Sequence, residues 1–553
     1  MKFSITNVLF LTIIVLAFTL RFWSVQNFPA GFNADEAAIG YNAYSILQTG
    51  KDEYGTFLPL SFKSFGDYKP GLYFYFVLPF VAVLGLSEFA VRFPSALLGL
   101  GQVILIYFLA KEIFKSKQIG LISAFLLAIT PWSLHFSRGG WETNAATFFI
   151  SLGFYLYIKS DNSLRLIFFS ILSFLISMYL YQSPRLLVPF FVLALILIYQ
   201  KKSFNLIKTR LKSLLIYGFV LFILSVPLIL QFTDNTGSAR FSGLSFFSDK
   251  GPANRVNQLR GQHKNPGSLF AKVEHNKLTA YFSSFLGHYL DHFSADFLFI
   301  NGDPIVRNKI PETGQFYLFQ SVFLLIGILA LLKLRNKESF ILVLWLLIAP
   351  LASSMTYQTP NAVRSLNMVI PLTLICSYGF MIAWNTVKKY KIKVLFALIL
   401  TAVISFEMIH YFESYYIHTP KRYPLASEYG FSQMVSKLNQ LEDQFDKVVI
   451  TDRYDQPYIL VLFYKANLPD KSGKKYDPEK YQPQAILSER DKFNFGTVRN
   501  FDKYEFHKIT NEEINKGKDV LYIVSPEELP KDRSILDQVN FPNGEPAFLF
   551  IKT

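Results

Sequence analysis

Asp35 and Glu36 stand side by side in the run Asn33-Ala34-Asp35-Glu36-Ala37-Ala38-Ile39-Gly40-Tyr41-Asn42-Ala43, directly after the first apolar segment. Ala37, Tyr41 and Tyr44 fall on one face of a helical pattern that starts here. Acids this close to a membrane span are costly unless they serve a purpose. A carboxylate in that place can take a proton from an attacking hydroxyl. The plain alternative is a helix N-terminus, where acids are favoured anyway. Lys69, Arg138 and Arg364 are single cations at the ends of apolar runs. Each could stabilise a departing phosphate, and arginine can hold one bidentately. The plain reading of isolated basic residues is that they snorkel to water. Glu142, four positions after Arg138, reads either as part of the same set or as a favourable first-turn acid.

These residues need a scaffold, and the composition says which kind. The chain has 553 residues, 51% hydrophobic and only 17% charged, where a soluble chain carries nearer a quarter. Phe (57) and Tyr (31) are abundant, as expected for apolar cores and membrane interfaces. This is an integral membrane protein. Spans of about 20 residues are expected near 5–23, 93–110, 119–136, 142–158, 164–181, 185–200, 213–231, 315–332, 339–356, 365–386 and 394–412. The net charge of +15 gathers in four clusters: Lys111–Lys117, Lys201–Lys212, Lys333–Lys337 and Lys388–Lys393. The positive-inside rule places all four in the cytoplasm with the N-terminus. No nucleic-acid partner is needed to explain the charge. The apolar run Gly71–Gly85 would invert the topology if it crossed, so it is expected to lie in the interface. The first run lacks a small-x-small cleavage site and is read as a retained span of a plasma (inner) membrane protein. Cys376 stands alone, which excludes an intrachain disulfide.

With that topology the outer face collects Asp35, Glu36, Asp67, Lys69, Arg138, Glu142, Arg185 and Arg364. The outer loop 232–314 carries His263, His275, His288 and His292. His288 and His292 could share a helical face, but ordinary polar histidines are favoured over a metal site. After Tyr415 the composition turns soluble. Strands are expected at Lys447–Thr451, Asp519–Val524 and Ala547–Ile551, with helices at Ser427–Phe445 and Gln456–Tyr464. The fold class is an all-α polytopic membrane domain (1–423, outer loops 24–92 and 232–314) followed by a small extracytoplasmic α/β domain (424–553).

The runs Asp35-Glu36, Asp67-Tyr68-Lys69-Pro70 and Glu88-Phe89-Ala90-Val91-Arg92-Phe93-Pro94-Ser95-Ala96-Leu97-Leu98-Gly99, with Ser137-Arg138 and Glu142, resemble the N-terminal third of GT-C superfamily membrane glycosyltransferases. The subgroup they resemble is the protein O-mannosyltransferase and aminoarabinose transferase family. The likeness covers residues 20–160, and the later spans in layout. It implies an inverting transferase that takes a sugar from a polyprenyl-phosphate donor to a hydroxyl on a protein, lipid or glycan. It implies Asp35 as the catalytic acid–base residue, with Glu36 beside it, and Lys69 as a phosphate contact. Arg138, Glu142, Arg364 and Tyr41 complete the expected substrate-binding set. Tyr68 stands where the family often has an acid, with Asp67 one position earlier, which leaves an acidic role at that site open. No cofactor is assigned; a divalent cation is left open, and Asp35-Glu36 lacks the DxD spacing of metal–nucleotide sites. The competing reading is a transporter or flippase of polyprenyl-linked saccharides, whose ionisable residues should lie mid-span.

Overall fold

The computed structural model describes residues 4–161, 163–233, 249, 251–334, 336–481 and 496–553. Arg335 of the third basic cluster and residues 234–248 and 250 of the long outer loop lie outside the described residues. By contacts the chain forms two units: 1–20, 99–134 and 143–409; and 21–98, 135–142 and 410–553.

The first unit is helical. Among the described residues six helices are long and apolar enough to cross a membrane: Ile5–Phe22 (α1), Glu88–Phe114, Gln200–Gln231, Lys337–Ser354, Leu366–Thr386 and Tyr390–Arg422. The run expected as a span at 119–136 is two helices, Lys117–Ile129 and Pro131–Arg138, bent by 57° at Thr130. Pro131 has no amide to continue the first helix, so the break falls there. Apolar helices also stand at Leu164–Leu180, Ser183–Ile198 and Leu318–Leu331, each under 18 residues. Leu318–Leu331 and Val369–Thr386 approach closely because glycine faces glycine. A Cβ on Gly379 would stand 1.9 Å from the Phe323 carbonyl oxygen, and one on Gly327 2.1 Å from that of Ile375. In lipid, small residues of this kind let helix backbones touch where no hydrophobic force drives association. Trp345 stacks on Phe154 at 4.0 Å, and its indole N–H donates to Asn367 Oδ1 at 2.5 Å.

The second unit joins the first outer loop to the C-terminal residues. The helix expected after the acidic run is α2 (Ala34–Thr49), ended by Gly50 in the left-handed region that glycine tolerates. A short antiparallel hairpin follows, β1 (Ser61–Ser64) and β2 (Asp67–Pro70), pairing Phe62 with Lys69. The run expected in the interface forms α3 (Leu72–Leu84), and α4 (Glu88–Phe114) begins with the Ser87 hydroxyl accepting from the Ala90 amide. The C-terminal sheet has the order β4-β5-β3-β6-β8-β7, where β4 is Asn500–Phe501, β5 is Tyr504–Phe506 and β7 is Asp537–Asn540. Its central strands are β3 (Lys447–Ile450), β6 (Val520–Val524) and β8 (Pro546–Lys552). These are the three expected strands. They read as continuous apolar runs because both faces are covered: β6 is buried at every position. The parallel pair β3–β6 is crossed by the helix Pro457–Asn467, buried almost throughout. The amphipathic helix expected over Ser427–Phe445 begins at Phe431, after Gly430 in the left-handed region, and ends at Leu441.

Candidate active site

The site is built on the first turn of α2. Asn33 is its N-cap. The Asn33 side chain accepts from the Glu36 amide at 3.0 Å, and Glu36 Oε2 accepts from the Asn33 amide at 3.4 Å. This reciprocal capping box satisfies amides that the helix leaves open. The Ala34 amide donates to Glu428 of the C-terminal segment at 2.6 Å. The cap is therefore Asn33, with Glu36 as its return partner, and the side chain of Asp35 is turned elsewhere.

Asp35 pairs with Lys69 Nζ. Lys69 is 7% exposed, on β2, with its ammonium 5.4 Å from the centre of the Phe65 ring. The hairpin turn puts Phe65 and Gly66 at positive φ. Gly66 is required there twice over, since a Cβ would also meet the backbone of Gly496 at 3.0 Å. The Gly496 amide donates to the Phe65 carbonyl at 3.0 Å, so the C-terminal segment holds the turn that presents Lys69. The Asp35 side chain keeps 29% of its exposure, where its Lys69 partner is nearly buried. The carboxylate is thus the accessible half of the pair.

Glu36 faces inward. Its Oε1 accepts from Arg92 Nε at 2.9 Å and from the Gly140 amide at 2.8 Å; Oε2 accepts from Arg92 Nη2 at 3.1 Å. Both side chains are essentially fully buried. Arg92 also donates to the carbonyls of Val25 (3.0 Å), Pro29 (3.1 Å) and Gly31 (2.5 Å). One guanidinium therefore folds the segment 25–31 around itself and ties it to α2. Buried ion pairs are tolerated only with such complete satisfaction.

Arg138 is likewise occupied. Its Nε donates to the Tyr415 hydroxyl at 3.0 Å, and Nη2 to the Trp23 and Phe28 carbonyls at 2.8 and 3.3 Å, while Tyr415 and Tyr416 cover its face. It is 2% exposed. Glu142 opens the helix Glu142–Lys159 and stands half-buried. Tyr41 is fully buried, edge-on to Tyr481 at 6.0 Å, and its hydroxyl has no hydrogen-bond partner among the described residues. Burial, reinforced by the nearby Glu53, holds the Tyr41 phenol well above the usual range.

Glu53 is a site residue that the sequence did not single out. It is 3% exposed. Its Oε1 accepts from Asn42 Nδ2 at 2.9 Å and its Oε2 from the Tyr458 hydroxyl at 3.3 Å, and its amide donates to Asn42 Oδ1 at 2.9 Å. Burial pushes its carboxyl up to about 7, against the pull of Asn42, Tyr458 and Lys69. Lys69 is thus paired with one carboxylate and feels a second. A cavity of about 660 Å³ in the same unit, lined by Asn27, Tyr416, Lys421, Glu428 and Tyr464, includes neither Asp35 nor Lys69.

Arg364 belongs to the first unit. Its Nη1 donates to Thr356 Oγ1 at 2.8 Å, and its own amide to Asn361 Oδ1 at 2.9 Å. The loop carrying it is fixed by two further buried groups. Asp303 accepts from the Ala362 amide at 2.6 Å, and His292 Nε2 stands 2.7 Å from Ser353 Oγ. His292 Nδ1 lies 2.8 Å from the His288 carbonyl. Both His292 nitrogens are therefore engaged in local structure. Burial pushes the His292 imidazole down to about 4, so it stays neutral at neutral pH.

A family profile described as dolichyl-phosphate-mannose-protein mannosyltransferase matches residues 68–230. No curated protein sequence matches the chain. Among solved structures, ArnT from Cupriavidus metallidurans bound to undecaprenyl phosphate is similar over 99% of this chain and 98% of its own, at 11% identity and a TM-score of 0.55. Its apo state gives 0.51 over 98% and 97%, at 11% identity. The archaeal oligosaccharyltransferase AglB from Archaeoglobus fulgidus, in complex with an inhibitory peptide and a dolichol-phosphate, is similar over 85% of this chain at 14% identity and a TM-score of 0.47. The chain spans about 64% of that protein's length. The chain shares the fold of the ArnT structures, with a mostly helical, apolar part followed by a small C-terminal sheet domain.

Proposed function

We propose that the chain is an inverting glycosyltransferase that moves a sugar from a polyprenyl-phosphate donor to an acceptor hydroxyl at the outer membrane face. The observation that carries this reading is the Asp35–Lys69 pair at the head of α2. It supplies, side by side, a half-accessible carboxylate and a nearly buried cation. In the free protein Asp35 is held against Lys69. A donor phosphate competes for the Lys69 ammonium and releases the carboxylate to act as base. Asp35 then takes the proton of the acceptor hydroxyl as its oxygen attacks the anomeric carbon from the face opposite the phosphate. The bond from that carbon to the phosphate oxygen breaks, and the polyprenyl phosphate leaves with the electron pair. Configuration at the anomeric carbon inverts in the single displacement.

Glu36 contributes by fixing α2 through Arg92 and Gly140, and Arg138 by fixing the segment 23–28. Arg364, Glu142 and Tyr41 are proposed as substrate-binding residues. The ArnT structure holds undecaprenyl phosphate, which supports a lipid-phosphate donor for this chain. The proposed orientation puts the N-terminus in the cytoplasm and residues 424–553 outside, as the lysine clusters indicate. Single-cysteine labelling in a Cys376→Ser background tests it: position 440 should react only from outside.

The deciding experiment is release of polyprenyl phosphate by purified protein, comparing wild type with Asp35→Asn. The substitution keeps the shape and removes the base. It should lower turnover by about 10²–10⁴ while donor binding and thermal stability stay near normal. Near-normal turnover by Asp35→Asn would remove Asp35 as the base. Retention of the donor's anomeric configuration in the product would remove the single displacement.

A further inference from the structure

A second cluster of chemistry-bearing side chains lies wholly within the first unit, in the long loop before the helix Leu318–Leu331. The helix Gly251–Gly261 ends in a turn, and His263 follows it. The chain reverses through Asn265-Pro266-Gly267, where the Ser268 amide donates to the Asn265 carbonyl at 3.1 Å. Ser268 caps the short helix Leu269–Glu274, and His275 comes immediately after. The reversal brings the His263 and His275 Nε2 atoms to 3.0 Å, and one carboxylate oxygen of Glu274 shares with them a space in which all three ligand atoms lie within 4.8 Å. Among the described residues no other group of three or more His, Cys, Asp or Glu side chains gathers so closely.

Two imidazole nitrogens pointing at one another admit two explanations. One is a simple hydrogen bond, which needs the proton on one Nε2 and the lone pair on the other. The other is a shared cation. Nitrogen–metal bonds of about 2.0–2.1 Å in a tetrahedron put the two nitrogens about 3.3 Å apart. The observed separation is a few tenths of an ångström from that value. Only the second explanation also uses Glu274, whose exposed side chain is free to swing onto the same point. The backbone is already set for it. Arg260 Nε donates to the His275 carbonyl at 2.6 Å and Nη2 to that of Lys272 at 3.4 Å, which locks the two arms of the reversal together. An entry path exists as well: Glu274 and His275 line a cavity of about 580 Å³ with Asp249, Arg255 and Thr279.

We propose that His263, Glu274 and His275 bind one zinc-type divalent ion, which fastens the reversal between the helices Gly251–Gly261 and Leu269–Glu274. Two imidazoles and a carboxylate suit zinc and its neighbours in the first transition row; magnesium and calcium prefer all-oxygen sites. Three protein ligands leave a fourth position for water from the cavity. The site is independent of the transfer chemistry proposed above, since none of its residues has a part there.

The test uses the full-length protein in detergent, with any affinity tag removed, stripped by chelator and titrated with zinc against a chromogenic competitor. Wild type should hold one more equivalent of zinc than the His263→Ala/His275→Ala double variant. Loss of an outer-shell partner alone costs about 10–100-fold in metal affinity, so each single variant should weaken binding by at least that much. Excess magnesium should not displace the zinc. As a second readout, zinc should slow proteolytic cleavage within 262–268 in wild type and leave the milder His263→Gln variant, which keeps the loop polar, unprotected. Equal zinc content in wild type and double variant would overturn the site, as would zinc protection that survives His263→Gln.

Discussion

Asp35 and Glu36 are neighbours with the same functional group, and their surroundings give them opposite tasks. Glu36 points into the protein, where Arg92 and the Gly140 amide surround it and nearly all water is excluded. Asp35 points to the rim, where Lys69 neutralises it while part of the carboxylate stays open. Successive residues at a helix start diverge in direction, so one turn of α2 carries both a fully buried ion pair and a partly open one. The difference lies in how many donors each carboxylate has. Glu36 spends both oxygens on fixed partners, which suits holding a structure. Asp35 pairs with a lysine, a point charge on a flexible stem that a phosphate can draw away.

The sharpest way to break this comparison is to remove the buried charge. Glu36→Gln leaves Arg92 without its counter-charge in a dry site, and removing one member of a buried pair costs about 3–5 kcal/mol. The variant should unfold at much lower temperature and become sensitive to trypsin within residues 21–33. The Asp35→Asn variant should show neither change. If Glu36→Gln were as stable as wild type, the two carboxylates would not differ in the way the geometry indicates.

The next effect concerns the Asp35–Lys69 pair. Lys69→Ala should weaken binding of a polyprenyl-phosphate sugar on the order of 2–5 kcal/mol, the cost of leaving a buried charge without its partner. Arg364→Ala is expected to weaken donor binding in the same direction. Donor binding by calorimetry, with thermal unfolding as a control, separates these losses from misfolding. Unchanged affinity in Lys69→Ala would take the phosphate role from this residue.

The helix starts, apolar helices and central strands were legible in the sequence, for a physical reason, while the roles of the residues on them are proposals. Asp35, Lys69 and Glu142 sit in local patterns, an acid pair at a helix start, a lysine before Pro70 and an acid opening a helix, and local patterns survive in one dimension. The apolar helices and the strands β3, β6 and β8 announce themselves by continuous hydrophobic runs. What stayed hidden depends on distant partners. Glu53 is made a buried acid by Asn42 eleven residues away and by Tyr458, 405 residues away. Asp303 gains its task from Ala362, and Glu407 from the amides of Leu318 and Phe319 at 2.7 and 3.1 Å. Nothing around Asp52-Glu53 in the sequence separates it from an ordinary polar turn. Arg92 was visible as part of a motif, yet its grip on the carbonyls of Val25, Gln26, Pro29 and Gly31 is a property of the fold.

Glu53 gives a prediction of intermediate size. Its folded carboxyl titrates near 7, above the ordinary 4.5. The folded chain therefore binds this proton more tightly than the unfolded chain does. The favourable contribution is complete below pH 4.5, declines as pH rises, and is lost above about 7. The shift amounts to roughly 3 kcal/mol. Glu53→Gln removes the titration, so it should melt higher than the parent at pH 8 and equally at pH 4. A pH-independent difference would mean that Glu53 is not protonated on folding.

The smallest expected effect asks which residue caps α2. Asp35 was a candidate, since aspartate is a good N-cap, but the capping bond comes from Asn33 to the Glu36 amide. Asn33→Ala should cost about 1 kcal/mol, the usual loss for a removed N-cap. Asn33→Asp should be nearly neutral in capping, because the two residues cap about equally well. It adds, however, a third carboxylate beside Glu36, whose Oε2 now accepts from Asn33 Nδ2 at 3.2 Å. Replacing that donor by an acceptor turns an attraction into a repulsion, and it also places new negative charge near the ground that a donor phosphate has to approach. Asn33→Asp should therefore be little changed in the helical content of α2 yet weaker in donor binding than Asn33→Ala. Thermal unfolding and donor titration of the two variants side by side measure both quantities. If Asn33→Ala left stability unchanged while Asp35→Ala lowered it by about 1 kcal/mol, the cap would belong to Asp35 after all, and the division of labour between the two carboxylates would have to be drawn again.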